Sequence, residues 1–293
     1  MTNDTTTDLE LIPVTGALGA EVRGVDLRDP NMDFAAIYAA LLEHEVLFFR
    51  DVALTEAEHL DLGQRFGTPS VFPIARLLGA VEPTMTVIED GPDAPNAADV
   101  WHTDVTWTAT PPSFALLQME VAPERGGDTL WASATRAYDA LSTPVQDFFA
   151  GLTAIHDNEE FIERMGDRAG DDTAELISLL RRDYPPVEHP LIRTHPETGK
   201  RAILYAGFFI RKIVGLSAAE SRMVLDFLAD HVQDPALHCR WSWQPGDLAI
   251  WDERSTLHRA AADHFPHRRV IRRLEIDGER PYFDPAARIR HPS

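Results

Sequence analysis

Six short apolar runs, each bounded by turn-forming residues, constrain the fold more than any other feature of this sequence. Many short strands with turn signals between them are typical of a sandwich or a barrel and not of a parallel sheet. The chain shows no internal repeat and no linker, so its 293 residues are expected to form a single domain, residues 1–293. The predicted strands are residues 114–121, 129–131, 191–194, 202–206, 247–251 and 270–276.

Helix signals lie around these strands. Thr55 and Glu58 form a capping-box pattern that predicts a helix ending near Gly67. A second capping box, at residues 217–220, opens a helix with an apolar stripe. Two further helices are predicted from helical spacing, at residues 33–43 and at residues 136–152, where Pro144 interrupts the helix or begins its second half.

Residues 161–186 differ from the rest of the chain because they are rich in charged side chains and lie between strand-like runs. One interpretation is a mobile lid over a functional site. The other is a solvated surface insertion. The sequence leaves these two interpretations open.

The chain is acidic, with a net charge of -20 and a pI near 4.9. Such a surface repels nucleic-acid phosphates and anionic lipids, so neither kind of partner is expected. The N-terminus lacks a signal-peptide pattern and no apolar run reaches about 18 residues, which together predict a cytoplasmic protein. The single cysteine, Cys239, excludes an internal disulfide and a thiolate-rich zinc site, and we expect a buried, unreactive thiol.

The segment WHTDVTW, residues 101–107, places His102 and Asp104 two positions apart. In a strand such residues point to the same face, so an imidazole and a carboxylate would lie side by side. Alone this pair is a weak indication of a metal site, but a third candidate ligand, His258, follows the run that ends at Trp251. Two histidines and one carboxylate on one side of a metal, with the opposite positions open, are the arrangement of non-haem Fe(II) oxygenases.

Four arginines crowd the last predicted strand and the turn before it. By the two-residue period of a strand, Arg269 and Arg273 share one face and stand roughly 13 Å apart. An unpaired buried guanidinium is costly, and a carboxylate relieves the cost by binding it in bidentate fashion. The pattern therefore predicts two anionic groups in one pocket, while Arg268 and Arg272 are expected to face outward.

Four segments together make the sequence resemble the taurine catabolism dioxygenases of the TauD/TfdA family, which depend on Fe(II) and 2-oxoglutarate. The segments occur in family order, and the likeness runs from GALGAEVRGVDL to RPYF, over nearly the whole chain. The family core is a double-stranded β-helix, or jelly roll, with flanking helices, which agrees with the strand pattern. The four segments are WHTDVTW, APERGGDTLWAS, THPETGK and WDERSTLHRAAADHFPHRRVIRR.

The resemblance implies a role for each matching residue. Thr129 and Arg269 are expected to hold the distal carboxylate of 2-oxoglutarate, and Arg273 an anionic group of the primary substrate. The implied reaction uses O2 to convert 2-oxoglutarate to succinate and carbon dioxide while a C–H bond is hydroxylated. Hydroxylation beside a sulfonate, sulfate ester or ether oxygen then releases sulfite, sulfate or an alcohol. The implied iron ligands are His102, Asp104 and His258.

The sequence departs from the taurine-specific pattern near the expected substrate pocket. Phe72, in RFGTPSVFPIA, stands where taurine enzymes carry a histidine that binds the sulfonate. Ala98 and Val100 are apolar where those enzymes tend to be polar. We expect a substrate-binding pocket, with Phe72 and Val100 in its wall, that prefers a sulfonate, sulfate ester or carboxylate with an apolar tail. Taurine dioxygenase proper is the alternative.

Two other functional classes share part of this pattern. A metallohydrolase would use the His and Asp site without paired arginines, and a non-catalytic module would bind 2-oxoglutarate without consuming it. Family members are often dimers or tetramers, so we expect a homo-oligomer, and the apolar stripe of residues 224–232 fits either a core or an interface. Of the other aromatic and histidine residues, we expect Trp243 and Trp251 mainly in the core, His264 and His267 in a solvated loop, and His156, His189 and His195 in structural positions.

Overall fold

The computed structural model describes residues 9–83, 85–91, 98–163 and 174–290. In these ranges the strands are β1 (Glu10–Pro13), β2 (Ala20–Arg23), β3 (Val46–Phe49), β4 (Thr86–Asp90), β5 (Phe114–Val121), β6 (Thr129–Ser133), β7 (Thr153–His156), β8 (Val187–Pro190), β9 (Ile192–Thr194), β10 (Arg201–Ile203), β11 (Ile210–Ile213), β12 (His238–Trp241), β13 (Leu248–Asp252), β14 (Thr256–Ala260) and β15 (Arg269–Ile276). The helices are α1 (Phe34–His44), α2 (Glu56–Phe66), α3 (Pro73–Leu77), α4 (Ala134–Asp139), α5 (Thr143–Ala150), α6 (Ala174–Asp183) and α7 (Ala218–His231).

Two sheets face each other around an aromatic core. The larger has seven strands in the order β1-β2-β3-β13-β5-β15-β4, antiparallel except for the β2–β3 pair. The smaller has three antiparallel strands in the order β12-β6-β14. Between the sheets the rings of Phe48 and Trp241 stack with centroids 4.2 Å apart, and Trp131 meets Trp251 edge-on at 5.7 Å. The predicted jelly-roll architecture is confirmed.

Local sequence explains most of the helix ends. Both predicted capping boxes are present, at Thr55 before α2 and at Ser217 before α7, and each satisfies backbone N–H groups of a first turn. The helix predicted at residues 136–152 forms as two helices, α4 and α5, with a break at residues 140–142. Pro144 lies in the first turn of α5, where its missing N–H is not needed, so the proline begins the second half.

The apolar stripe of α7 belongs to the core. Val224, Leu228 and Val232 are buried in one cluster with residues of β9, β10 and β14. The other face of the helix leaves Met223 and Phe227 exposed. Two predicted strands are shorter than expected, since only residues 202 and 203 of the run at 202–206 belong to β10, and only residues 192–194 of the run at 191–194 form β9.

The charge-rich insertion is described only at its two ends, and residues 164–173 lie outside the described residues. At its C-terminal end, α6 buries Leu180 in an apolar cluster that also contains Trp107, Phe161 and Tyr184. Among the described helices, none combines the length and the apolar character that crossing a membrane requires.

Candidate active site

The three predicted metal ligands come together. The backbones of His102 and His258 form an isolated bridge, with N–H to O distances of 3.0 and 2.8 Å, and their ring centroids lie 4.3 Å apart. Asp104 Oδ1 lies 3.4 Å from His102 Nε2, and its Oδ2 lies 3.7 Å from His258 Nε2. One ligand atom from each residue falls within 4.8 Å of the other two.

Hydrogen bonds orient the first of these imidazoles. His102 Nδ1 lies 2.7 Å from the carbonyl oxygen of Val100. A carbonyl can only accept, so Nδ1 carries the hydrogen and the lone pair of Nε2 faces Asp104. Two imidazole nitrogens and one carboxylate on one side of a centre are the donor set that Fe(II) takes in this class of oxygenase, so the residues fit the metal.

The electrostatics of the triad favour its metal-binding protonation states. Burial alone would raise the pKa of Asp104, but Arg273 and the two imidazoles outweigh burial and hold that pKa far below its usual range. Burial, with His102 and Arg273, lowers the pKa of His258 to about 3. Asp104 is therefore ionised and His258 neutral at pH 7, as metal ligation requires.

A carboxylate that sequence reasoning missed lies behind the triad. Glu253 accepts a hydrogen bond from the backbone N–H of Asp104 at 3.1 Å and one from Trp251 Nε1 at 2.7 Å. Its Oε1 lies 3.9 Å from His258 Nδ1. Its position in WDER, five residues before His258, was visible in the sequence, but nothing local indicated which partners it would meet.

The structure brings Thr129 and Arg269 together beside the triad. Arg269 donates to the Gly127 carbonyl at 2.9 Å and to Thr129 Oγ1 at 3.3 Å. Thr129 Oγ1 also accepts from Trp243 Nε1 at 3.0 Å. An oxygen that accepts two hydrogen bonds keeps its own O–H for an anion, so this pair suits a carboxylate. Both residues, with His102, line a cavity of about 50 Å³.

Protein carboxylates already accompany both inward-facing arginines. Arg269 Nη1 lies 3.3 Å from Oδ2 of Asp90, its cross-strand partner on β4. Arg273 Nη1 donates to Asp104 Oδ2 at 2.6 Å, and its Nη2 lies 3.0 Å from Glu275 Oε1. The inference that these arginines require two ligand anions is therefore too strong. Buried Arg273 Nε still lacks a hydrogen-bond partner among the described residues, which leaves a donor for an anion.

The two remaining arginines of β15 and its turn point away from the triad. Arg268 is exposed and forms an ion pair with Glu89 at 2.6 Å. Arg272 is mostly covered, because it donates to the Leu54 carbonyl at 2.7 Å and pairs with Glu120 at 2.8 Å. The prediction that both face outward is correct for Arg268. Arg272 also points away from the triad, but other residues cover most of its side chain.

A second cavity, of about 280 Å³, opens beside the triad and is mainly apolar. Phe72 and Ala98 line it, as predicted, and Arg273 reaches it. Val100 does not line it: its side chain packs against Gly207, and its carbonyl holds His102. Sequence reasoning missed four further aromatic residues of the wall, which are Trp107, Phe161, Phe208 and Phe209.

Among the other histidines one prediction is wrong. His264 is buried, 1% exposed, and packs near Gly127 and against Phe265, whereas the neighbouring His267 is exposed as predicted. A tight approach of the loop to Gly127 excludes solvent from the imidazole. His156, His189 and His195, which we expected in structural positions, are all buried, and His195 pairs with Asp252 at 2.9 Å. Cys239 is a buried free thiol whose pKa burial raises to about 12.

Comparison with known proteins identifies the family. The model of the taurine catabolism dioxygenase TauD, TfdA family matches residues 10–274. The chain belongs to this family. It is a 2-oxoglutarate-dependent dioxygenase, an enzyme class that uses Fe(II) and O2, and the corresponding predictions are confirmed.

Several relatives are similar over most of this enzyme. It is 36% identical to an alkylsulfatase from Acinetobacter baylyi over 94% of this chain and 86% of the relative. It is 37% identical to an alpha-ketoglutarate-dependent sulfate ester dioxygenase from Pseudomonas putida, over 94% of this chain and 91% of the relative. The crystal structure of a taurine dioxygenase from Burkholderia xenovorans superposes with a TM-score of 0.77 at 32% identity, covering 96% of this chain and 94% of that one.

Proposed function

We propose that this dioxygenase hydroxylates alkyl sulfate esters at the carbon that bears the sulfate. The observation that carries the proposal is the mainly apolar cavity beside the triad, which is lined by both Arg273 and Phe72. The mainly apolar wall suits an alkyl tail, which taurine lacks. Two relatives named for sulfate ester chemistry, each more than 35% identical, support the same substrate class.

Each site residue takes one role in this proposal. His102, Asp104 and His258 would hold Fe(II), which together with 2-oxoglutarate supplies the oxidant for the C–H bond. Arg269 and the Thr129 hydroxyl would bind the distal carboxylate of 2-oxoglutarate by charge-assisted hydrogen bonds. Val100, through its carbonyl, keeps the His102 tautomer that ligation needs. The Fe(II) ligand set is thus backed by hydrogen bonds from protein groups.

The substrate is held by charge at one end and by apolar contact at the other. Arg273 would bind the sulfate group with Nε, which has no partner among the described residues, and this would place the adjacent carbon near Asp104, the ligand that Arg273 also contacts. Phe72 and Phe208 exclude water from the tail and from the reacting carbon.

The products follow from the position of attack. One oxygen atom of O2 enters succinate and the other becomes a hydroxyl on the carbon that carries the sulfate oxygen. The resulting hydroxyalkyl sulfate loses a proton from its hydroxyl group as the carbon–oxygen bond to sulfate breaks. The products are an aldehyde, sulfate, succinate and carbon dioxide, with no external reductant besides 2-oxoglutarate.

A substrate panel tests the proposal. Hexyl sulfate, hexanesulfonate, phenoxyacetate and taurine are assayed for succinate formation with Fe(II), 2-oxoglutarate and air. We expect the highest kcat/KM with hexyl sulfate, by at least about tenfold over taurine, because each buried methylene adds favourable transfer free energy. A higher kcat/KM with taurine would establish the taurine dioxygenase alternative. Sulfate released equally without O2 would indicate a hydrolase instead.

We further propose a homo-oligomer, a dimer or a tetramer. Exposed large apolar side chains support it: Met223 is 62% and Phe227 43% exposed on α7, and Phe148 is 47% exposed next to Phe149, whose ring contacts Phe227. Sedimentation velocity across micromolar concentrations tests this, and a monomer throughout would refute it. The cytoplasmic location and the extent of the domain, residues 1–293, stay predictions.

The lid interpretation of residues 161–186 also stays a proposal. Its support is that Phe161 lines the substrate cavity and that α6 buries Leu180 beside Trp107. If these residues close over the substrate, hexyl sulfate with 2-oxoglutarate will slow limited proteolysis within the insertion. Equal cleavage rates with and without ligands would favour the solvated insertion.

A further inference from the structure

A strained turn directly follows the carboxylate of the metal triad. Val105 has a φ of 51°, in the left-handed region that a β-branched residue rarely adopts. On one side of it Asp104 belongs to the triad, and on the other Trp107 lines the substrate cavity. The turn of residues 104–108 thus carries both a metal ligand and part of the substrate wall in a conformation that its own sequence disfavours.

Two buried histidines hold this turn from behind. His189 Nε2 lies 2.9 Å from the carbonyl oxygen of Thr106 and 3.0 Å from that of Thr108. Carbonyl oxygens only accept, so Nε2 carries a hydrogen and donates to both. His156 Nδ1 lies 3.0 Å from the hydroxyl oxygen of Thr106. Together the histidines engage three oxygen atoms of one short turn.

The turn receives all the side-chain hydrogen bonds that these histidines make among the described residues. They stand on β7 and β8 of the separate sheet β11-β7-β8, with ring centroids 5.2 Å apart. His156 Nε2 and His189 Nδ1 have no hydrogen-bond partner within the described ranges. A half-satisfied buried imidazole costs free energy that an apolar side chain in the same place would avoid. The hydrogen bonds to the turn compensate for part of this free-energy cost.

We propose that His156 and His189 are positioning residues of this dioxygenase. By fixing the turn of residues 104–108 they set the direction of the Asp104 carboxylate and the place of the Trp107 wall together. Through these two histidines the small sheet β11-β7-β8 then supports the metal site. The part of this inference that concerns the substrate wall rests on the proposed function, whereas the part that concerns metal binding does not.

Metal binding without substrate provides the first test. Mn(II) is titrated into the metal-free enzyme by calorimetry for wild type, His189→Phe and His189→Gln. We expect the Kd for Mn(II) to rise about tenfold or more in His189→Phe, which loses the donor and keeps the ring, as removal of outer hydrogen-bond partners of a metal site does. Gln retains an N–H donor, so His189→Gln should stay within about threefold of wild type.

Two further variants separate positioning from general stability. Thr106→Val removes the hydroxyl that faces His156 without changing the side-chain shape, and it should weaken Mn(II) binding by about threefold to tenfold even if His189→Phe does not fold. His231→Phe is the matched control, since His231 Nε2 also lies 2.7 Å from a backbone carbonyl, that of Ala137, away from the turn. Its Mn(II) affinity should equal that of wild type.

The coupling of the reaction provides the second readout. Wild type should form one succinate per sulfate released from hexyl sulfate, whereas Thr106→Val and folded His189→Phe should form several succinates per sulfate because substrate and metal lose their alignment. Wild-type Mn(II) affinity in Thr106→Val and in a folded His189→Phe, or an equal loss in His231→Phe, would overturn the proposal. If wild type releases no sulfate, the proposed function fails while the Mn(II) titration still decides the role of the histidines.

Discussion

The two cavities that meet at the metal triad are built from different parts of the chain. The smaller, of about 50 Å³, is lined by strand residues such as Thr129, His258 and Arg269, whose places follow from sheet register. The larger, of about 280 Å³, draws its aromatic wall from outside the strands, at Phe72 and Phe208 for example. The jelly roll therefore positions the residues of the shared chemistry, and in the proposed function the connecting segments select the substrate.

The largest predicted effect comes from removing a ligand of the metal triad, where the two cavities meet. Asp104→Ala takes the ionised carboxylate from the ligand set, so kcat for succinate formation should fall at least about a thousandfold. The measurement is succinate release with hexyl sulfate under saturating Fe(II). A chelator added to wild type should reproduce the loss. Residual activity within about tenfold of wild type would mean that the triad is not the metal centre.

Substituting each arginine should separate the two cavities. If Arg269 binds 2-oxoglutarate as proposed, Arg269→Met removes a charge-assisted hydrogen bond, and the KM for 2-oxoglutarate should rise roughly 10- to 100-fold while that for hexyl sulfate changes little. Arg273→Met should raise the KM for hexyl sulfate more than that for 2-oxoglutarate, and it should also lower kcat because Arg273 contacts the ligand Asp104. Arg268→Met is the control, because Arg268 is exposed and pairs only with Glu89 among the described carboxylates. Equal increases in both KM values for both variants would refute the division.

A smaller change is expected from a wall residue of the larger cavity. Phe72→His introduces a polar group into the wall of the proposed substrate cavity and removes apolar surface from it. The ratio of kcat/KM for taurine to that for hexyl sulfate should rise about tenfold, with the KM for 2-oxoglutarate unchanged. The same substitution at exposed Phe148 should leave the ratio as it is. A lower ratio in Phe72→His would contradict the assignment of the wall.

The smallest effect on activity is expected from a substitution that changes only the stability of the fold, at Glu45. Burial raises the pKa of Glu45 to about 7, from the 4.5 of an exposed glutamate, although a hydrogen bond from Thr135 opposes the shift. The folded state then binds the Glu45 proton more tightly than the unfolded state does. This tighter binding stabilises the fold in full below pH 4.5, and the stabilisation is lost as the pH rises through 7.

Glu45→Gln should therefore remove the loss of stability at high pH. Compared with wild type it should gain about 3 kcal/mol of unfolding free energy at pH 8 and little at pH 4.5, as measured by urea denaturation. Both KM values should match wild type, since Glu45 lines neither cavity. Glu43→Gln, at an exposed neighbouring position, is the control. The same pH dependence in wild type and Glu45→Gln would contradict the prediction.

The strand-built half of the site was predictable from sequence and the other half was not. The two-residue period put Arg269 and Arg273 on one face, and the family motifs supplied His258 and Thr129. Asp90 was missed because its contact with Arg269 depends on the pairing of β4 with β15, strands far apart in the chain.

Two other shortcomings of the predictions concern segments without a strand period. His264 was assigned to solvent because loops usually lie at the surface, yet this loop packs against Gly127 and buries the ring. Phe208 and Phe209 carry no local signal that distinguishes a cavity wall from a core, and only their position beside His102 reveals it. Where side-chain position depends on how a connecting segment folds back, sequence periodicity gives no guide.

The stoichiometry of hexyl sulfate turnover tests the central claim most directly. Succinate and sulfate are quantified in parallel, in air and under argon, with Fe(II) and 2-oxoglutarate present. The predicted result is equal amounts of both products in air and neither under argon. Sulfate formed under argon, or succinate formed in air at a rate that hexyl sulfate does not increase, would contradict it.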